Sequence, residues 1–279
     1  MRRIDVQFAS KYSLENHELI ADLPVGLRQS GALEVRDKFE TISGGHVLDV
    51  GTQTGDFIKT LMIVLSNYHS FTGIDISEDD LKKAKENLKD APVNFVVMNA
   101  EKMTFQDSYF DTVCMSYSLH HLENIDIVLA EMYRVLKPGG YFIIQEMYSD
   151  GAQAPAQIVD RDVHHLDVKI DTLLGIPHFE TLTRQKMKDL INRIGLSNVD
   201  VFESSWSVKC LFCEDVRECQ NPRRADNIEF ILKEIDEDLE KICTHPSYDE
   251  LRKEGDSLKE RVRDYGSAAA SVMYFFGKK

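Results

Sequence analysis

Asp49 and Asp75 are the residues whose positions say most about chemistry in this chain. Each sits at the end of an apolar run, in His46-Val47-Leu48-Asp49-Val50 and Ser70-Phe71-Thr72-Gly73-Ile74-Asp75. The first run passes straight into a glycine turn, Gly51-Thr52-Gln53-Thr54-Gly55. Glycines there let the backbone approach a ligand closely, and the helix start that follows presents free N–H groups. An acid at the end of the second run is placed to take both hydroxyls of a ribose. The chemistry this supports is capture of a nucleoside. The dinucleotide fingerprint G-x-G-x-x-G is absent, which argues against a nicotinamide or flavin dinucleotide.

The elements that must position these residues follow from periodicity. Short apolar runs alternate with helical patterns from residue 46 to 144, as expected of an α/β, doubly wound sheet whose ligands bind at the carboxyl edge. Val93–Val97 and Phe110–Ser116 are further strands, and Tyr141–Ile144 is a fifth. After it, residues 152–180 leave the carboxyl edge and read as a helical cap over the site. Val163, Leu166, Ile170 and Leu173 make its apolar stripe, and Asp160, His164, Asp167 and Asp171 a polar one. Val199–Glu203 and Ala268–Phe276 read as the last two strands. Between them, residues 206–265 carry two amphipathic helices broken at Pro246, expected to wall the pocket or to form a homodimer arm.

The order of these pieces resembles the class I S-adenosylmethionine-dependent methyltransferases, in their small-molecule, type 11-like branch. Asp49-x-Gly51-x-Gln53-x-Gly55 is similar to that family's acid-x-Gly-x-Gly-x-Gly turn, with Gln53 where the middle glycine stands. A side chain there is compatible with the turn if its φ stays negative. Asn99-Ala100-Glu101 with Phe105 resembles the family's Asp-Ala-Glu…Phe, and Ser116-Tyr117-Ser118-Leu119-His120-His121 its Ser-x-x-Leu-His-His. Lys137-Pro138-Gly139-Gly140 is similar to the turn before its fifth strand. The likeness covers residues 40–147, with a weaker continuation to the end.

The resemblance implies a Rossmann-like, seven-stranded, mostly parallel sheet with an antiparallel last strand, formed by residues 43–205 and 266–279. It implies that residues 1–42 form a helical lid, with Tyr12 touching the methionine carboxylate. It assigns cofactor binding to Tyr12, Asp49, Gly51, Thr52, Gln53, Gly55, Asp75, Ile76, Asn99, Ala100, Glu101 and Ser116. An oxygen of Asn99 is expected to accept from the adenine amino group. The cofactor is S-adenosylmethionine, with S-adenosylhomocysteine as product.

Methyl transfer from a sulfonium needs alignment, dry surroundings and sometimes a base. The candidates to contact the acceptor are His120, His121, Tyr117, Glu146 and His164. Histidine titrates near neutral pH, which suits proton removal from oxygen or nitrogen. Glu146 can hold a substrate amine or bond backbone N–H groups. His164 and His165 adjoin, His178 lies beyond Gly175-Ile176-Pro177, and Asp160 and Asp167 flank His164 by one helical turn each; these types and spacings can hold a divalent metal. Charged turns on a solvated helix look the same, and no metal ligand is assigned.

Composition bounds the partners. A formal charge of −14 disfavours a nucleic-acid partner, since phosphate backbones need basic surface. No apolar run approaches a membrane span, and the start of the chain lacks a signal-peptide pattern. Five scattered cysteines favour reduced thiols in a cytoplasm. Cys210, Cys213, Cys219 and Cys243 leave open a thiol-dependent metalloid methyltransferase, and the departures at Gln53 and Asn99 leave open a non-catalytic module that only binds the cofactor. The leading expectation is methyl transfer to a small metabolite.

Overall fold

The computed structural model describes residues 28–206, 208–212 and 221–279. Seven strands form one sheet in the order β3-β2-β1-β4-β5-β7-β6. They are β1 His46–Val50, β2 Ser70–Asp75, β3 Val93–Val97, β4 Phe110–Ser116, β5 Leu136–Met147, β6 Ser197–Ser204 and β7 Val272–Lys278. The strands from β3 across to β5 pair in parallel, and β7 lies antiparallel between β5 and β6. The expected fold class is the observed one. Strand order reverses between β1 and β4, so a crevice opens at their carboxyl ends, where such sheets bind ligands.

Both faces of the sheet are covered, which is why its strands read as near-continuous apolar runs. Helices α1 Ala32–Glu40 and α2 Asp56–Val64 pack on one face against Val47, Cys114, Ile143, Tyr274 and Phe276. Helices α4 Ile125–Val135 and α6 Arg184–Ile194 pack on the other, against Leu48, Val113, Phe142, Met273 and Phe275. Successive residues therefore alternate between the two cores, as a strand requires. Helix α3, Glu78–Asn87, begins at Ser77, whose hydroxyl accepts from the Asp80 N–H, and three acids fill its first turn.

Of the expected N-terminal lid over 1–42, residues 1–27 lie outside the described residues, and Tyr12 with them. The remainder is corrected. In α1, Phe39 meets Tyr274 and Phe276 edge-on, with ring centroids 6.2 and 4.9 Å apart, so α1 is part of the core under the sheet.

Helices α5 Pro155–Leu174, α7 Ala225–Lys241 and α8 Tyr248–Tyr265 make a third core of their own, with Leu166, Ile170, Ile235, Leu239, Leu258 and Val262 buried between them. Gly255 allows the close approach: a Cβ there would lie 2.8 Å from Leu239 Cδ1. The apolar stripes of the inserted hairpin are thus spent on α5 within one chain. The homodimer arm expected of residues 206–265 has no support from those stripes.

Two side chains tie this cap to the sheet. Gln157 Nε2 donates to Ser205 O, Ala269 O and Ser271 Oγ at 3.1–3.2 Å. Asp160 accepts from Ser267 Oγ (3.0 Å) and Ala270 N–H (3.1 Å), and burial raises its carboxyl pKa. Asp160 therefore turns away from His164 and cannot share a metal with it.

Candidate active site

Pairing of Val50 with Met115 brings the turn after β1 beside the turn after β4. Ser118 Oγ donates to Gly51 O (3.3 Å) and joins the two. Gly51 has φ +72°, and a Cβ at that position would stand 2.5 Å from Ser118 Oγ. Its N–H and that of Thr52 both donate to Ile74 O (2.9 and 3.0 Å), so β2 holds the turn in shape. Gly55 opens α2 as its N-cap with φ +82°. Gln53 departs from expectation, with φ +43° in the left-handed region. Its N–H donates to Asp75 Oδ2 (2.9 Å), and this bond offsets a backbone cost of roughly 1–2 kcal/mol for a residue with a Cβ.

Asp49 was expected to face the cofactor, and strand alternation places it elsewhere. It falls on the same face as Val47, beneath α2, and is 1% exposed. Thr52 Oγ1 donates to it at 2.7 Å, and Cys114 Sγ lies 3.6 Å away. Thr52, 3% exposed, also turns its side chain inward, so one acid and one hydroxyl brace the turn from below. Burial lifts the Asp49 carboxyl from 3.8 to about 7.

That shift carries a testable sign. Between pH 3.8 and about 7 the folded chain binds a proton on Asp49 that the unfolded chain has released. Stability from this group is complete below the lower value and is lost as pH rises through the upper one, by on the order of 4 kcal/mol. An Asp49→Asn variant mimics the protonated acid, so its urea midpoint will hold while that of the parent falls between about pH 4 and 7. Parallel midpoints for the two proteins would disprove the assignment.

At the far end of the crevice, Asp75 Oδ1 accepts from Ser77 N–H and Oδ2 from Gln53 N–H, both at 2.9 Å. Each carboxylate oxygen keeps a second lone pair for a hydroxyl donor. Ile76 is 75% exposed, and Met98 N–H donates to Asp75 O, so this apolar side chain and the Asn99-Ala100 turn emerge side by side. An acid beside an uncovered apolar surface fits a ribose carrying a base. Asn99 is held by the turn it opens. Its Oδ1 accepts from Glu101 N–H (2.8 Å) and keeps a second lone pair. Glu101 Oε1 accepts from Asn124 Nδ2 (3.0 Å) and ties this turn to the start of α4.

At the near end stand the histidines. Leu119–His121 is a single 3-10 turn, and Glu146 supports it from beneath. Glu146 is fully buried: Oε2 accepts from Leu119 N–H (2.9 Å), and Oε1 from Met147 N–H (2.8 Å) and the His120 ring (Nδ1 at 3.0 Å). The expectation that Glu146 contacts substrate is therefore corrected to a positioning role. Helix α5 ends at Gly175 with φ +72°, and Pro177 prevents its continuation. The chain then folds back: His178 Nδ1 reaches Asp171 Oδ2 (2.8 Å), and Phe179 N–H donates to His120 O (2.7 Å).

Four imidazoles meet in consequence. Ring centroids are 4.4 Å apart for His120 and His121, 4.3 Å for His121 and His178, 4.9 Å for His120 and His164, and 4.8 Å for His164 and His178. Burial, reinforced by the neighbouring rings, lowers His121 and His164 to about 3, so both stay neutral at physiological pH. Sequence reasoning placed His120, His121 and His164 among the acceptor-side candidates, and named His178 only as a possible metal neighbour of His164 and His165. Its signal was the Gly175-Ile176-Pro177 stop, which returns the chain to the last turn of α5. Ser118 was missed.

Tyr117 is half-buried with φ +50°, and its N–H donates to Gln145 O (2.9 Å). Cys114 is buried in β4. Cys210 falls in the 3-10 turn Val208–Phe212, while Cys213 and Cys219 lie outside the described residues.

A glycine turn beside the strand-end acid Asp75, at the reversal point of this strand order, is the arrangement expected of a nucleoside-dependent enzyme of the Rossmann-like type. The "Methyltransferase domain" family matches residues 48–144. The ubiquinone/menaquinone biosynthesis C-methyltransferase UbiE of Serratia proteamaculans is 34% identical over 188 residues, 60% of this chain and 72% of that protein. Its Shewanella pealeana counterpart is 33% identical over 121 residues, 42% of this chain and 48% of that one. The chain belongs to the class I S-adenosylmethionine-dependent methyltransferases, and its methyl donor is S-adenosylmethionine.

Solved structures bear out the fold at low identity. Haemonchus contortus phosphoethanolamine N-methyltransferase 2, in complex with phosphomonomethylethanolamine and S-adenosylhomocysteine, gives a TM-score of 0.51 at 18% identity, covering 91% of this chain and 54% of that one. The [4+2]-cyclase SpnF gives 0.54 at 17%, covering 88% and 78%.

Proposed function

We propose that the chain methylates a small-molecule acceptor held between the turn after β4 and the helical cap. The observation that carries this reading is the convergence of His120 and His121, from the sheet edge, with His164 and His178, from the cap. Polar groups from two layers meet in a half-buried space beside the Gly51 turn, which suits a compact molecule better than a polymer. The charge of −14 points the same way, and the first relatives act in quinone biosynthesis by name, so a hydroxylated or quinone-type ring is the first acceptor to try.

When bound, S-adenosylmethionine supplies a methyl group on a positively charged sulfur that leaves as a neutral thioether. In this reading Asp75 takes the ribose hydroxyls, with Ile76 and Ala100 against the base and Asn99 at its edge. The main chain of Gly51, Thr52, Gln53 and Gly55, with Ser116, holds the methionine end, and Asp49 keeps that turn in shape from below. Tyr117, His120, His121 and His164 line the acceptor side and exclude water, while Glu146 sets the ring plane of His120. His121 and His164, neutral at pH 7, orient an acceptor by hydrogen bonds; their low basicity makes them poor proton carriers. Alignment and desolvation are then the main contributions of the chain. No helix among the described residues is long and apolar enough to cross a membrane, and the sparse cysteines support a reducing cytoplasm as the setting.

Two measurements test this. Calorimetry on an Asp75→Ala variant should show donor affinity weakened by about 1–3 kcal/mol, because ribose hydroxyls lose their acceptor. Release of S-adenosylhomocysteine should then appear with at least one of a panel of phenolic, quinone and amine acceptors. Unchanged donor binding would remove Asp75 from its role, and turnover confined to protein or nucleic-acid acceptors would defeat the small-molecule reading.

A further inference from the structure

Three of the four clustered imidazoles share a feature that hydrogen bonding among themselves does not explain. Each has one ring nitrogen anchored on an oxygen: His120 Nδ1 on Glu146 (3.0 Å), His178 Nδ1 on Asp171 (2.8 Å), and His121 on the backbone carbonyl of Pro177. Each keeps its other nitrogen free of that anchor. One ligand atom from each of the three rings lies within 4.8 Å of the other two. His178 is 4% exposed, and its Nε2 is buried with no hydrogen-bond partner; the same is true of His164 Nε2. A buried imidazole nitrogen without a partner is a costly thing for a fold to keep.

Carboxylates and carbonyls that hold the outer nitrogen of histidines, fixing tautomer and ring plane, are the outer shell of metal sites. A tetrahedral site with metal–nitrogen bonds of about 2.1 Å needs ligand atoms about 3.4 Å apart, within reach of small ring rotations from the present spacing. The ring of His164, edge-on to His120 and His178, borders the fourth side without joining the set.

We propose that His120, His121 and His178 bind one divalent transition-metal ion of the zinc class, through Nε2 of His120 and His178 and the ring nitrogen of His121 that faces away from Pro177. Imidazole donors without thiolate or a dominant carboxylate set suit zinc, cobalt and nickel better than magnesium or calcium. Three protein ligands and an open fourth side are the pattern of a site that receives an exogenous oxygen rather than a closed structural one. This deepens the acceptor reading above: the group presented to the methyl donor is an oxygen-bearing ligand held by the ion. The ion also joins the sheet edge, through His120 and His121, to the cap, through His178.

The test is binding of zinc chloride, and of cobalt(II) as a visible-absorbing probe, to the full chain after chelator treatment and dialysis. The expected result is one equivalent bound with a dissociation constant of about 1 μM or tighter, and a tetrahedral cobalt spectrum. His121→Gln and His178→Gln should each abolish that spectrum, and Asp171→Asn should weaken binding by about 10–100-fold. His165→Ala and His69→Ala should leave it unchanged; circular dichroism confirms folding of each variant. Failure of the parent chain to bind, or binding that survives both glutamine variants, overturns the proposal. Loss in Asp171→Asn without loss in His121→Gln overturns it too, by moving the ion to Asp167, Asp171 and His178. Donor binding measured on the same samples reports separately on the methyltransferase reading.

Discussion

Replacing Gly51 with valine will abolish S-adenosylmethionine binding, with a loss of at least about 100-fold expected by calorimetry. Two effects add. The backbone at Gly51 has φ +72°, a region in which a β-branched residue is a genuine outlier. The new Cβ would stand 2.5 Å from Ser118 Oγ, and the branch methyls would reach further into the turn after β4. The turn can escape only by breaking the bonds from Gly51 and Thr52 N–H to Ile74 O, and these set its shape. The obstacle is thus within the protein before any ligand arrives. It follows that adding Ser118→Gly to the valine variant will recover part of the affinity, whereas a collision with the ligand itself would be indifferent to residue 118. Full affinity in the single variant would show that this turn does not hold the donor.

The second large effect is expected at Glu146. Alanine there leaves the Leu119 and Met147 N–H groups and the His120 ring without their acceptor in a fully buried place. Orphaned buried donors cost about 1–3 kcal/mol each, so a loss on the order of 3–5 kcal/mol is expected, and a melting temperature lower by roughly 10 °C. Glutamine keeps one oxygen and will lose less. Because the carboxylate supports the whole 3-10 turn, His120 and His121 will also lose their fixed ring planes. A melting curve indistinguishable from the parent would show that the bonds to Glu146 carry no weight.

The sheet was legible in the sequence because doubly covered parallel strands leave an unmistakable signature of apolar runs separated by helical periods. The Gly51–Gly55 turn and Asp75 were legible for the same reason, since each is local to a strand end. What escaped was set by alternation or by distance. Asp49 reads as a ligand-facing acid at a strand end, yet its parity with Val47 sends it beneath α2. Glu146 sits one residue from the end of β5, and only the pairing of β4 with β5 reveals the 3-10 turn resting on it. Gln53 reads as a residue that avoids positive φ, and the compensating bond to Asp75 comes from a strand 22 positions away. His178 meets His121 only because the loop after α5 is bonded to the turn after β4, a contact no periodicity encodes.

The inserted hairpin leaves and re-enters the scaffold between β6 and β7, two strands bonded to each other along their length. Their register is therefore independent of what the intervening polypeptide does. An exchange of that excursion for one of different shape leaves the pairing of β6 with β7 in place. Selection is thus free to remodel the helices on which α5 is seated while the sheet stays as it is. Chimaeras joined at the two strand ends are the natural route to new acceptor specificities in this architecture.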